Sequence, residues 1–320
     1  MSRPVFREGL WVALLLLLTP GCSRHDAPRE TGETPFHVVF VTGDEEYRSE
    51  ESMPMIARIL HHHYGMRVTI CYAVDPQTGS INPDYLEGIE GLEALEEADL
   101  AVFFIRFRQL PEDQLQRIFD YVNSGRPMVG LRTSTHAFRY LQDDPRSRWN
   151  DAFGTDVFGQ KWITHHGHHG TRPLTAVSVI QGKQDHPILR GVTPFQAYSW
   201  LYHVDGGEHL LQGDCDPLLS GHSLKSNHLE ELERFPLDNP VAWTKSYQGA
   251  KVFFTTLGHP YDFLEPAMRK LLVNSILWGL GREDRIPTAG ARVELTGEYE
   301  PSDAAFGGYR PGQRPEQVEP

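Results

Sequence analysis

Cysteine is scarce in this chain. Only Cys22, Cys71 and Cys215 occur, without any Cys-x-x-Cys pair, so neither a thiolate zinc site nor a dithiol redox motif is supported. Runs of Lys and Arg are missing, and acidic residues outnumber basic ones, 43 to 30. A surface that tracks a phosphate backbone is therefore not expected, and no nucleic-acid partner is predicted. There is no G-x-S-x-G elbow, no G-x-x-x-x-G-K-S/T loop, and no G-x-G-x-x-G after the first predicted strand. The usual serine-hydrolase, nucleotidase and dehydrogenase readings lose support accordingly. No internal repeat is visible.

The one long apolar run, Leu10 to Leu18, is preceded by Arg3 and Arg7. It is too short for the ~20 apolar residues of a membrane span but suits the h-region of a secretory signal. Leu18-Thr19-Pro20-Gly21-Cys22 is similar to a bacterial lipobox, with Thr19 where an aliphatic residue is usual. The expectation is an exported protein: residues 1–21 as signal peptide, Cys22 lipidated, and a membrane anchor facing the periplasm or cell surface, with ordinary secretion as the alternative. Residues 23–35 read as a polar tether, 36–286 as the core domain and 287–320 as a Pro/Gly-rich tail, poorly ordered or draped on the surface. Cys71 lies in the apolar run Val68 to Tyr72 and reads as a buried thiol, although a pairing with Cys215 is left open.

What is present is a globular composition, 39% hydrophobic, in which short apolar runs alternate with helical patterns. Strands are predicted at 37–41, 67–72, 100–105, 127–131, 176–180, 241–243 and 251–256. A helix opens near Pro111 with the stripe Leu115, Ile118, Phe119 and Val122, and a closing helix carries Leu264, Met268, Leu271 and Leu272. Continuously apolar strands separated by helices imply a single α/β domain with a parallel, doubly wound sheet. Ligands of such sheets bind at the carboxyl ends of the strands.

Four segments would meet there: Gly43-Asp44-Glu45-Glu46-Tyr47-Arg48, Arg106-Phe107-Arg108, Arg132-Thr133-Ser134-Thr135-His136, and His259-Pro260-Tyr261-Asp262. Arg106 and Arg108 would share a face if the strand continues through them. Guanidinium forks suit carboxylates, phosphates or vicinal oxygens; ion pairs to Asp44, Glu45 or Glu46 would compete. A further cluster, His165-His166-Gly167-His168-His169, places four imidazoles in five positions. With His136 and His259, residues such as His166 and His168 are candidate ligands for a divalent metal such as zinc. They could equally hydrogen-bond sugar hydroxyls or act as acid and base. His61-His62-His63 reads as an exposed helix end.

From Phe36 to Gly281 the chain resembles the ThuA-like, or trehalose-utilisation, family. The resemblance rests on Glu45-Glu46-Tyr47-Arg48-Ser49-Glu50-Glu51, Phe104 to Arg108, Gly130 to Phe138, His165 to Gly170, Pro187 to Gly191 and Pro240 to Lys245. It implies the flavodoxin-like, mostly parallel fold of the class I glutamine amidotransferases. In those enzymes a nucleophilic Cys stands two residues after a strand-end Gly; here Arg132 follows Gly130 at that distance. His259-Pro260 echoes their His-Pro-Glu with Tyr261 and Asp262 following, so glutaminase activity is set aside. The resemblance also implies a link to sugar metabolism, especially keto-sugars derived from disaccharides, with a small-molecule carbohydrate as partner. A homo-oligomer is left open.

The resulting expectation assigns His136, His259 and Arg132 as catalytic. Glu45, Glu46, Tyr47, Arg48, Arg106, Arg108, His165, His166, His168, His169 and Asp262 are assigned to substrate binding. If the protein is an enzyme, it is a hydrolase, lyase or isomerase of oxidised or ordinary sugars. The alternative is a non-catalytic sugar-binding or interaction module at the cell surface.

Overall fold

The computed structural model describes Met1 and residues 34–168, 170, 172–202 and 211–318. Cys22 with the segment expected to be its leader, and His169, lie outside the described residues. Among the described residues no helix is long and apolar enough to cross a membrane.

Strand β1 (His37–Gly43) runs into helix α1 (Ser49–Tyr64), which ends at Gly65, a left-handed C-cap with φ of 66°. Strand β2 (Arg67–Cys71) is followed by the short hairpin of β3 (Val74–Asp75) and β4 (Ser80–Ile81), then β5 (Leu100–Ile105) and helix α2 (Glu112–Val122), with Pro111 at its N-cap. Strand β6 (Met128–Leu131) leads to a 3-10 turn over Arg132–His136, and helix α3 (Trp149–Ala152) continues into a π-helical turn over Phe153–Phe158. Then come β7 (His165–His166), β8 (Thr175–Val179), β9 (Phe195–Ala197), β10 (Leu201–Tyr202), β11 (Asp216–Ser223), β12 (Asp238–Tyr247), β13 (Ala250–Thr255) and helix α4 (Pro266–Gly279).

The main sheet is ordered β2-β1-β5-β6-β13-β12-β11-β8-β9. Its first five strands are parallel and the rest are antiparallel. The sheet is thus doubly wound but mixed. The physical reason lies between β12 and β13, where only Gln248 and Gly249 intervene, at φ of 49° and 81°. Two residues can close a hairpin but not a parallel crossover.

Strict alternation divides the central strands between two apolar layers. Val38, Phe40, Leu100, Val102 and Phe104 face one layer, covered by Met53, Ile56 and Leu60 of α1 and Met268, Leu271 and Leu272 of α4. Val39, Val41, Ala101, Phe103 and Ile105 face the other, covered by Leu115, Ile118 and Val122 of α2 and by Phe153 and Phe158. Gly130 is required here, because a Cβ would stand 2.5 Å from the Phe158 ring and 2.6 Å from that of Phe254.

Of the two expectations for the segment after 286, packing on the surface of the core is what the described residues show, within one compact unit that begins at Pro35. Ile286, Ala291, Val293 and Ala304 are buried in the α1/α4 layer. Arg269 Nε donates to the Val293 carbonyl at 3.0 Å, and the Ala291 amide donates to Asn274 Oδ1 at 3.0 Å. Cys71 and Cys215 are both free thiols, so the pairing left open above does not form.

Candidate functional site

The carboxyl ends of β1, β5, β6 and β13 bring their loops to one edge of the sheet, as the strand-end argument requires. Asp44 shapes the first loop. Its Oδ1 accepts the backbone amides of Glu46 and Tyr47, both at 2.7 Å, and its Oδ2 accepts the Thr133 hydroxyl of the loop after β6. This turn carries Glu46 and Tyr47 into a pocket of about 370 Å³. Aromatic walls come from Tyr47, Trp162, Trp200, Tyr202 and Phe306, and polar groups from Glu46, Arg106, His136, His165 and His168. Trp162, Trp200, Tyr202 and Phe306 are functional candidates that sequence reasoning missed. The alternation of Trp200 and Tyr202 was a signal of sorts, but nothing in the sequence tied it to the β1 and β6 loops.

Arg106 is the cation of the pocket. Its Nη1 pairs with Glu45 Oε1, and its Nη2 lies 3.3 Å from Glu46 Oε2. Burial pushes the carboxyls of Glu45 and Glu46 upward, and the Arg106 charge pulls both back.

His136 is held as neutral imidazole. Burial, reinforced by Arg106 and Arg132, keeps it well below its ordinary value. Its Nδ1 lies 3.0 Å from Thr135 Oγ1, and that hydroxyl donates onward to the Arg132 carbonyl at 3.1 Å. With the hydroxyl proton so used, Nδ1 carries the imidazole proton and Nε2 presents a lone pair. Burial, with Arg132 and His168 nearby, pushes His165 down to about 3. Its ring lies 4.3 Å from that of Trp200, and its buried Nδ1 has no hydrogen-bond partner.

Several expected site residues stand outside the pocket. Arg108 is fully buried, donating to the carbonyls of Arg106, Tyr85 and Pro83 and lying 3.3 Å from Glu45. It does not share the face of Arg106, because β5 ends at Ile105 and Phe107 adopts φ of 50°. Arg48 is the left-handed N-cap of α1 and donates to the carbonyls of Glu45 and Ala305. Asp262 accepts the backbone amides of Tyr198, Ser199, Gly258 and His259, which makes it a loop clamp.

The candidate metal ligands do not converge. His166 alternates away from His165, and both its nitrogens are used, Nδ1 with Ser226 Oγ at 2.7 Å and Nε2 with the Pro236 carbonyl at 2.9 Å. His259 caps the turn over Pro260–Leu264 through Nδ1, and its Nε2 faces Asp303 at 3.4 Å. Among the described residues no group of three or more His, Cys, Asp or Glu side chains is arranged to hold a metal. The donor set proposed for zinc therefore does not fit a tetrahedral catalytic site.

Immediately after β6, Arg132 adopts the strained left-handed conformation, with φ of 40°. Its side chain is fully buried behind the pocket wall. Nη1 donates to the carbonyls of Thr256 (2.8 Å) and Trp200 (3.3 Å), Nη2 to the Tyr47 hydroxyl (2.9 Å), and Nε is unpartnered. Arg132 acts on the pocket through the aromatic residues that it holds.

The family model for ThuA, described as trehalose utilisation, matches residues 37–279. No curated protein matches the chain. A crystal structure described as ThuA-like, from Parabacteroides merdae, superposes with a TM-score of 0.50 at 15% identity, covering 90% of this chain and all of its own. Another so described, from Bacteroides uniformis, gives 0.49 at 17% identity, covering 79% of this chain and 94% of that one. At these identities the structural likeness concerns the fold alone, whereas the family model spans most of the chain; the protein belongs to the ThuA, or trehalose-utilisation, family.

Proposed function

We propose that this pocket binds a sugar or keto-sugar and that His136 moves a proton on it, in an exported protein of carbohydrate metabolism anchored through Cys22. The observation that carries the reading is an aromatic-walled pocket of about 370 Å³ holding a neutral imidazole and an arginine. That volume lies within the ~300–1,000 Å³ of small-molecule sites. Flat rings such as Trp162 and Trp200 cover the apolar C–H faces of a pyranose, and the Arg106 fork suits a carbonyl or vicinal hydroxyls.

A keto-sugar has an acidic C–H beside its carbonyl. His136 Nε2, with its lone pair, removes that proton, while Arg106 stabilises the developing enolate oxygen. Enolisation of this kind opens isomerisation, or elimination of a leaving group at the next carbon. The His136 imidazolium then gives the same proton to the neighbouring carbon, completing isomerisation, or to the departing oxygen, completing elimination, and is neutral again. Glu46 holds the Arg106 guanidinium in orientation.

A calorimetric panel of mono- and disaccharides and their keto derivatives tests this reading. The expected result is binding of at least one sugar and turnover of a keto-sugar that falls 100-fold or more, about 10²–10⁴-fold for a lost general base, in His136→Ala. Binding without turnover would favour a non-catalytic sugar-binding module; no binding at all would sink the reading. Mass spectrometry of the membrane-extracted protein, with Cys22→Ala as control, tests the lipid anchor.

A further inference from the structure

The last segment of the chain supplies one wall of the pocket although it lies beyond residue 279, where the family match ends. Tyr299 starts this strap, its hydroxyl donating to the Pro260 carbonyl at 2.9 Å. Ser302 then docks on α1, its amide 2.7 Å and its hydroxyl 2.8 Å from the Glu51 carboxylate. Asp303 faces His259, Ala304 is buried, and the Ala305 amide donates to the Glu46 carbonyl at 3.0 Å, while the Ala305 carbonyl accepts Arg48 Nη2. The strap is thus tied to the loop after β13 and to α1, and at Ala305 to the loop that carries Glu46 and Tyr47.

Phe306 follows directly and is 61% exposed. A large apolar side chain so exposed gains nothing from the core. Its ring nevertheless lines the pocket with its centre 5.2 Å from the Arg106 Cζ, and Phe107 stands on the guanidinium at 4.2 Å. The cation is flanked by two rings, one from β5's loop and one from the strap.

From this juxtaposition we infer that Phe306 is a specificity-determining residue. The strap delivers an aromatic rim, absent from the part of the chain that defines the family, which covers Arg106 and decides which sugar ring fits against it. The inference rests on the sugar-binding reading for the ligand but not for the covering role. The favoured ligand presents an apolar ring face toward Phe306 and an oxygen toward Arg106, so sugars with several axial hydroxyls on that face are disfavoured.

The test uses the mature protein and Phe306→Ala, with two readouts. In the calorimetric sugar panel, Phe306→Ala is expected to weaken binding of the preferred sugar about tenfold and to narrow its preference over epimers; one ring contact is worth about this much. Independently of any sugar, carbethoxylation by diethyl pyrocarbonate, mapped by mass spectrometry, is expected to label His136 and His165 several-fold faster in the variant. Labelling of the exposed His62, at the far end of α1 and outside the pocket, serves as the internal reference. Unchanged labelling overturns the covering role, and unchanged affinity and epimer preference overturn the specificity role. If no sugar binds the wild-type protein, the functional reading and the specificity role fail together, while labelling still decides whether Phe306 screens the pocket. A melting temperature equal to that of the wild type confirms that the variant is folded.

Discussion

Arg132 Nη2 lies 2.9 Å from the Tyr47 hydroxyl, and the guanidinium carbon of the same residue stands 4.1 Å from the centre of the Tyr47 ring. One buried cation thus satisfies the phenol and supports the ring of a pocket wall. Removing it leaves the phenol and the carbonyls of Thr256 and Trp200 short of their donor. Arg132→Ala is expected to lose about 3 kcal/mol or more in urea unfolding. Arg132→Lys should recover only part of it, since an ammonium lacks the planar fork. A loss below about 1 kcal/mol for the alanine variant would contradict this account.

The neutral imidazoles give an acid-side prediction. His136 and His165 are depressed in the folded state, so the unfolded chain binds more protons once pH drops below the ordinary histidine value of 6.5. Above about 6.5 their burial opposes no charge, and stability is lost as pH falls from there toward about 3, where His165 itself titrates. His165→Gln should flatten this slope in denaturation curves taken between pH 4 and 7. NMR titration of the two rings should show no protonation near 6.5.

Glu50 works in the opposite direction. It sits in the first turn of α1 with both carboxylate oxygens buried and unpartnered, and burial raises its pKa to about 8. Because the folded state holds the proton more tightly, its contribution is intact below the unfolded value of about 4.5 and declines as pH rises from there to about 8. Glu50→Gln is expected to stabilise the protein by up to a few kcal/mol at pH 8 and to leave it nearly unchanged at pH 4. Equal melting temperatures for the two proteins at pH 8 would refute the assignment.

Neither folded-domain thiol should react readily. Burial raises Cys71, and it raises Cys215 to about 11, so the thiolate fraction at pH 7.5 is very small for both. A chromogenic disulfide reagent is expected to titrate them over hours in the native protein and within minutes in denaturant. Fast native labelling of Cys71 would show that its apolar layer opens.

Much of the fold was legible because it depends on short-range patterns. Leu100 to Ile105 is apolar without interruption, as a strand buried on both faces must be, and it occupies the centre of the parallel half. The antiparallel half was harder, since the pattern of β8, β11 and β12 does not reveal strand direction. The clue was the two-residue connection at Gln248-Gly249. How the tail packs was not legible because Pro and Gly dominate its composition, while the few residues that anchor it, Val293 and Ala304, join the apolar layer of α1 and α4.

The same division applies to the site. Which loops could meet was legible in the sequence, because parallel strands place their carboxyl ends on one edge. Only the tertiary structure decided which side chains enter the pocket. Alternation turns His165 in and His166 out, the positive φ of Phe107 separates Arg106 from Arg108, and His259 is engaged by Asp303 some 40 residues on. Trp162, Trp200, Tyr202 and Phe306 come from segments that nothing in the local sequence ties to the β1 and β6 loops. A side chain's direction and partners depend on backbone turns and on residues distant in the chain, which local spacing does not encode.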